Sequence, residues 1–294
     1  MIDKYTVIWD LLNKASKNDV VVINSIAVIE RFPEIEIFFQ LNKNPNVFLY
    51  AHETQYVFDR IKFSNTLAFE RIKKALKRLK VLCVSQLQLS YFKKHFKINS
   101  ARLVYNCLDD IFFVGTKKKV EKIQSKILMV GSLQKRKGVT FFSKIADECK
   151  ARGLDYSFYW VGDCSMNMKQ SLEFKELYFS KNVHWLGSLE KEQLKEEFLS
   201  SEMFLLSSID DPFPLSVGEA LTLKTKAICY KDTGYAEVLK KVTGCGVFDN
   251  YNVDDAVKVI FNCAKKELDY DAVKKHCVNK IRPDRFSDYF FRTV

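Results

Sequence analysis

Glycine and proline are scarce in this chain: ten Gly and five Pro among 294 residues. That scarcity excludes a collagen-like, linker-rich or disordered polypeptide. No CxxC pair occurs among the eight cysteines (Cys83, Cys107, Cys149, Cys164, Cys229, Cys245, Cys263 and Cys277). Scattered single thiols argue against zinc ribbons and dithiol redox motifs and fit a reducing cytosol. No apolar run is long enough to span a bilayer, and Met1–Asp10 has no secretory n-region, h-region and cleavage pattern. HExxH and the phosphate-loop lysine motif are missing too, as are repeats and low-complexity tracts. What is there is a globular balance, 47% hydrophobic and 28% charged, in a length that suits two domains better than one.

Acidic residues are short in the first half. Met1 to Lys126 holds 22 Lys and Arg against 12 Asp and Glu, whereas the remainder holds 25 against 24. The excess is densest in Arg71–Lys80, followed by Lys93, Lys94 and Lys97. Ile72, Ala75, Leu76 and Leu79 recur at helical spacing there, which predicts a helix with its cations on the opposite face. Three readings fit. The helix lies on anionic lipid with Tyr91, Phe92 and Phe96 dipping into the interface; it is a solvated face over core aromatics; or it is a nucleic-acid footprint, for which no recognition motif is present.

From Ser125 onward, short apolar runs alternate with helical patterns. Strands are expected at Lys126–Gly131, Tyr156–Asp163, Val183–Gly187, Met203–Leu206 and Ala227–Tyr230. Helices are expected at Val139–Ala151, Met168–Tyr178, Glu190–Leu199 and Ser216–Leu223. The first half repeats the alternation more faintly, with strands at Asp19–Asn24, Asn46–His52, Val81–Ser85 and Arg102–Asn106. Gly115–Ser125, charged and weakly patterned, reads as a linker. This is the pattern of doubly wound parallel sheets. Such sheets bind ligands at the carboxyl ends of their strands, where Gly131, Gly162, Gly187 and Ser207-Ser208 fall.

Two segments carry chemistry. In Asp210-Asp211-Pro212-Phe213-Pro214-Leu215-Ser216-Val217-Gly218-Glu219-Ala220, two acids with seven residues between them bracket a strand-to-helix turn. The free amides and positive dipole of a helix start hold an anionic phosphate. Carboxylates on either side accept hydrogen bonds from hydroxyls, and a diphosphate between two polyols is a nucleotide sugar. The plainer reading is an N-cap Asp and a surface Glu. In Gly131-Ser132-Leu133-Gln134-Lys135-Arg136-Lys137-Gly138, glycine permits close approach and Arg136 and Lys137 bring cations to a helix start. The plainer reading there is a basic surface turn.

Together these segments resemble the family-4 retaining glycosyltransferases of the GT-B fold. Their pattern is an acid, seven residues, then Glu-Ala, and Gly-Arg-x-x-x-x-Lys-Gly in the earlier loop. Asp211 stands where Glu is commoner, and Ser132 where Arg is usual. The resemblance implies an α/β fold of two Rossmann-like domains facing a cleft, with an incomplete N-terminal domain. Its expected parts are residues 1-120 as the acceptor side, 121-280 as the nucleotide-sugar side, and 281-294 returning to the first domain. It implies His52, Asp211 and Lys137 as catalytic residues, His52 facing the donor sugar. Donor binding would fall to Gly131, Ser132, Arg136, Lys137, Gly162, Pro214, Leu215, Ser216, Val217, Glu219 and Glu237. The last lies in Gly234-Tyr235-Ala236-Glu237, where Tyr235 replaces a second Gly and adds bulk to the pocket. Val183–Gly187 resembles the strand near the base, with His184 and Trp185 read as core. Val84-Ser85 and Tyr105–Asp109 resemble landmarks at the end of the first domain.

The resemblance further implies a metal-independent retaining transfer with no cofactor. The donor would be UDP- or GDP-linked and the acceptor a glycan or lipid-linked glycan, as in surface polysaccharide or lipopolysaccharide synthesis. The place is cytoplasmic, with peripheral attachment to an anionic membrane surface as a further expectation, and nucleic acid is not expected. The family begins with a strand and Gly-rich loop ahead of the Val20 segment. A completing subunit, or an upstream segment of the same gene, is therefore expected to supply them, and the alternative is an inactive or partial GT-B subunit that binds nucleotide sugar or a partner.

Overall fold

A computed structural model of the chain describes residues 18–33, 35, 46–115, 119–163 and 172–293. Met1–Asp10, Cys164 and positions 168–171 of the expected helix lie outside the described residues. The chain divides into two compact units, Met1–Tyr105 with Ser287–Val294 and Asn106–Phe286.

The first unit holds four parallel strands in the order β1 (Val21–Asn24), β2 (Val47–Ala51), β3 (Lys80–Cys83) and β4 (Arg102–Leu103). All five residues of β2 are buried, as a parallel strand covered on both faces requires. Helices α1 (Ala27–Arg31), α2 (Gln55–Ser64), α3 (Thr66–Leu76) and α4 (Gln86–Phe96) supply the cover. Along α3, Ala68, Ile72, Ala75 and Leu76 turn inward, and the Asn65 side chain caps its first turn through Ala68 N. Two expectations are corrected here. Arg71 leaves the cationic face, because its guanidinium bonds the carbonyls of Ile29 and Glu30 at 3.0 and 2.9 Å and closes the end of α1. Tyr91, Phe92 and Phe96 do not reach outward: each rings Phe58, at 5.6, 5.5 and 4.9 Å between centroids. Aromatic packing in the core outweighs any interfacial role for those three.

The second unit holds six parallel strands: β5 (Ile123–Val130), β6 (Ser157–Val161), β7 (Val183–Gly187), β8 (Ser201–Leu206), β9 (Lys226–Tyr230) and β10 (Gly246–Phe248). Their order is β10-β9-β8-β5-β6-β7. Helices α5 (Val139–Ala151), α6 (Leu172–Tyr178), α7 (Lys191–Ser200), α8 (Leu215–Thr222), α9 (Ala236–Leu239) and α10 (Val253–Ala264) connect them. β5 starts inside the stretch read as linker. Its pattern was obscured by an irregularity: the β5–β8 register shifts between Ile123 and Ile127, and Ser125 sits at φ 63° with its N–H taken by Glu202. The chain winds from β5 to β7 in one direction and from β8 to β10 in the other. The order therefore reverses between β5 and β8, and a crevice for a ligand is expected beyond their carboxyl ends.

Candidate functional site

The loops that leave β5 and β8 are tied together at that reversal. Ser207 Oγ donates to the Lys137 carbonyl at 2.7 Å, and Ile209 N to the Arg136 carbonyl at 3.1 Å. Lys137 Nζ reaches Asp211 Oδ2 at 2.6 Å, and Arg136 lies 3.8 Å from the same oxygen. Gly138 makes this approach possible. It has φ 72°, and a Cβ there would stand 2.0 Å from the Ser207 carbonyl and 2.5 Å from the Tyr251 hydroxyl. That hydroxyl in turn donates to the Ser207 carbonyl. The Lys137 stem lies along Gly131, where a Cβ would meet it at 3.4 Å. Lys137 is thus an ammonium held by a nearly buried carboxylate at the carboxyl end of a parallel sheet, a fixed positive group for an anion.

Gly162 contributes by position. At φ 130° it brings β6 so close that a Cβ would fall 2.1 Å from the Gly131 carbonyl. Its N–H is spent on the Gly187 carbonyl, and its own carbonyl accepts from Trp185 Nε1 at 2.8 Å. Trp160 holds the Gly131 carbonyl in the same way at 2.9 Å. Ser132 is exposed at the rim. The core reading fails for His184, which is exposed and stacks on Tyr159 at 4.8 Å, while Trp185 is half-buried.

Pro214 precedes α8 as its N-cap, its ring fixing φ at −66° while ψ stays extended at 108°. Val217 N bonds back to the Pro214 carbonyl at 3.1 Å. The Val217 amide is therefore engaged, and the amides of Leu215 and Ser216 lie ahead of that first bond. Glu219 follows one turn on. Burial pushes its carboxyl up to about 7, the Asp109 carboxylate adds to this, and Lys191 opposes it. Asp109 and Lys191 form an ion pair with each other. Neither stands out in the sequence as a neighbour of Glu219; both are exposed charges, Asp109 in a loop and Lys191 at the start of α7, and no local spacing connects them.

The Asp211 loop is fastened from its other side by the bond from Gly234 N to the Asp211 carbonyl at 2.8 Å. The next residue, Tyr235, does not fill the pocket. It is buried against Phe213 at 4.6 Å, and its hydroxyl occupies the space beside Gly218, 2.5 Å from where a Cβ would be. Glu237 is exposed in the first turn of α9.

In the first unit, His52 follows β2. Its Nε2 lies 2.7 Å from Asn24 Oδ1 at the end of β1, and burial lowers its pKa below the usual imidazole value. A neutral imidazole donates from Nε2 to that amide oxygen. Glu53 beneath it accepts from Ser25 Oγ, from Ile26 N at 3.2 Å and from His52 N at 2.9 Å. Burial raises the Glu53 pKa against those bonds. Ser25 is held at φ 107°, a strained conformation for a residue with a side chain, of the kind found where a loop is shaped for binding.

The profile described as "Glycosyl transferases group 1" matches residues 113–276. The alpha-galactosylglucosyldiacylglycerol synthase of Streptococcus pneumoniae is 29% identical over 98 residues, 32% of this chain and 25% of that protein. This chain thus matches about a quarter of the length of that curated relative. Among solved structures, sucrose-phosphate synthase from Thermosynechococcus elongatus superposes with a TM-score of 0.77 at 12% identity, over 98% of this chain and 75% of that one. Anabaena HepE, solved with UDP, gives 0.75 at 14% identity, over 98% and 81%. A UDP-forming trehalose-phosphate synthase from Burkholderia xenovorans gives 0.70 at 13%, over 98% and 75%. At such identities the likeness speaks for the fold: two parallel α/β sheets as in GT-B enzymes, the class expected from the sequence.

Proposed function

This chain belongs to the glycosyl transferases group 1, and from that premise we propose that it moves a sugar from a nucleoside-diphosphate sugar to a glycan or lipid-linked acceptor with retention of configuration. The observation that carries the reading is the Lys137–Asp211 pair, 2.6 Å apart at the strand-order reversal beside the start of α8. An ammonium fixed there, with Arg136 beside it and the Leu215 and Ser216 amides ahead of the helix, stabilises the charge that develops on a leaving diphosphate. Protein cations and helix amides do this work without calling on a metal or a cofactor. Glu219 takes the ribose hydroxyls. Asp211 takes hydroxyls of the transferred sugar while it holds Lys137, and Glu237 borders the same turn. His52 belongs to the sugar-transfer machinery as a neutral imidazole whose Nε2–H is held by Asn24, which leaves Nδ1 as an acceptor for a sugar hydroxyl. UDP or GDP is the proposed leaving group; the UDP-forming trehalose-phosphate synthase and the UDP-bound HepE support the former. The name of the pneumococcal relative, a glycosyldiacylglycerol synthase, supports a lipid-linked acceptor. The basic first half supports work at the cytoplasmic face of an anionic membrane, in surface glycan synthesis.

Calorimetric titration with UDP, GDP and ADP tests the donor assignment. Lys137→Ala and Glu219→Ala should each cost about 1.5–3 kcal/mol of nucleotide affinity, the worth of a charged hydrogen bond. Wild-type binding by both folded variants would remove the assignment.

A second reading has its own observation. Among the described residues β1 pairs only with β2, and Val20 and Val22 beside that edge are exposed, 44% and 38%. A parallel edge of this kind invites a further strand, so a subunit that completes the sheet, with this chain as its nucleotide-binding partner, is the alternative. Sustained turnover of donor and a lipid-linked acceptor by the purified chain alone would decide against it.

A further inference from the structure

Helix α2 ends at Ser64 and α3 starts at Thr66, so Asn65 alone makes the corner between them. All six residues from Lys62 to Leu67 are exposed. Two of them are large and apolar: Phe63 is 94% exposed and Leu67 81%. The core side of these helices is already supplied by Phe58, Ile61, Ala68 and Ile72. Phe63 and Leu67 therefore project from one corner with no packing role in the unit.

The ground around the corner is cationic. Gln55 to Lys97 carries eleven Lys and Arg and two acids, with Arg71 turned to the end of α1 and Lys73 paired with Glu70. Lys62 and Lys73 stand over the Phe69 ring at 6.0 and 5.8 Å. Phe69 meets Phe96 at 6.4 Å, and Lys97 follows Phe96 as the left-handed cap of α4, with Lys93 and Lys94 exposed one turn earlier. The corner thus joins two apolar tips to a collar of ammonium groups, with Ser64, Asn65 and Thr66 between the tips.

We propose that the α2–α3 corner is a membrane-docking wedge: Phe63 and Leu67 enter the interfacial layer of an anionic bilayer while the surrounding lysines hold its phosphate headgroups. Two side chains are far too little apolar surface for a stable protein interface, which buries on the order of 1,000 Å² or more. A bilayer accepts single side chains one by one and adds the attraction of each nearby cation. Nucleic acid would engage the lysines and leave the two apolar tips in water. The wedge lies in the first unit and needs no nucleotide, so it stands or falls separately from the donor assignment.

The test is co-sedimentation of the full chain with vesicles of phosphatidylcholine alone and of phosphatidylcholine with phosphatidylglycerol, at low and at physiological salt. The wild type should bind the anionic vesicles and weaken with salt, since exposed charges are screened beyond about 8 Å. F63S/L67S should bind at least about tenfold less tightly. It should keep its circular dichroism and its nucleotide affinity, because neither residue packs in the core. Phe179→Ser, which removes a ring 72% exposed from the second unit, should bind as wild type. In Leu67→Trp, emission should shift to the blue and be quenched by brominated lipid. Equal binding by F63S/L67S and wild type, equal binding to neutral vesicles, or capture by single-stranded RNA with no vesicle binding at low salt would each overturn the proposal.

Discussion

Glu219 shows how a single residue takes its chemistry from distant neighbours. Its carboxyl, raised to about 7 by burial and by Asp109, is half ionised near neutrality. Only the carboxylate is a full acceptor for two ribose hydroxyls. Nucleoside-diphosphate affinity should therefore rise between about pH 6 and 8 and then level. Glu219→Gln should bind more weakly and flatten that profile; an unchanged slope in calorimetry would place the titration elsewhere. The sign for stability is the opposite. A carboxyl whose folded pKa is raised contributes its full stability below its unfolded pKa and loses it as pH rises through the folded value. Well above pH 7 the free Glu219→Gln protein should thus gain about 1–3 kcal/mol over wild type in urea unfolding, and no such gain should appear near pH 4.

Among the elements, the two loops at the reversal behave as one piece because a glycine lets their backbones touch. Gly138→Ala forces a methyl group against the Ser207 carbonyl at φ 72°. It should destabilise the protein by about 2 kcal/mol or more and weaken nucleotide binding as Lys137 and Asp211 separate. Chemical denaturation and calorimetry on one sample read both effects. Helix α8 makes a second such pair with Tyr235. A methyl at Gly218 collides chiefly with the Tyr235 hydroxyl, and Ile281 comes next at 3.1 Å. In a double-mutant cycle, Tyr235→Phe should recover about 1 kcal/mol or more of the cost of Gly218→Ala. Strict additivity would mean that the hydroxyl is not the obstacle.

At the scale of the whole molecule, two ligands are assigned to two units. UDP should slow amide hydrogen exchange in Gly131–Gly138 and in Ser207–Glu219, and leave Lys62–Leu67 unchanged. Anionic vesicles should protect Lys62–Leu67 and leave the donor loops alone. Mass spectrometry of the intact chain with each ligand in turn reads both patterns, and protection of the donor loops by vesicles would contradict the division of labour.

Much of the second unit was legible in the sequence because its signals are local. A buried parallel strand must be apolar on both faces, so Met203–Leu206 and Ala227–Tyr230 stand out as short continuous runs. The helix Val139–Ala151 has the bounds its periodicity predicts. The spacing of Asp211 and Glu219 marks a strand-to-helix turn before any coordinates exist. Other features depended on residues far apart in the chain. Lys137 and Asp211 are 74 positions apart, and only the strand order brings them to 2.6 Å. Tyr235 reads as bulk in a pocket until Gly218 is seen to make room for it on the core side. Arg71 reads as a surface cation until the end of α1 arrives above it. Phe63 and Leu67 are four residues apart, the spacing of a core-facing pair, and the break at Asn65 turns both outward. Periodicity along the chain fixed which segments would be strands and helices, since burial acts on each element's own pattern. Which side chains meet, and which are left facing outward, was decided only by tertiary structure, since contact and burial depend on the packing of elements that no local pattern records.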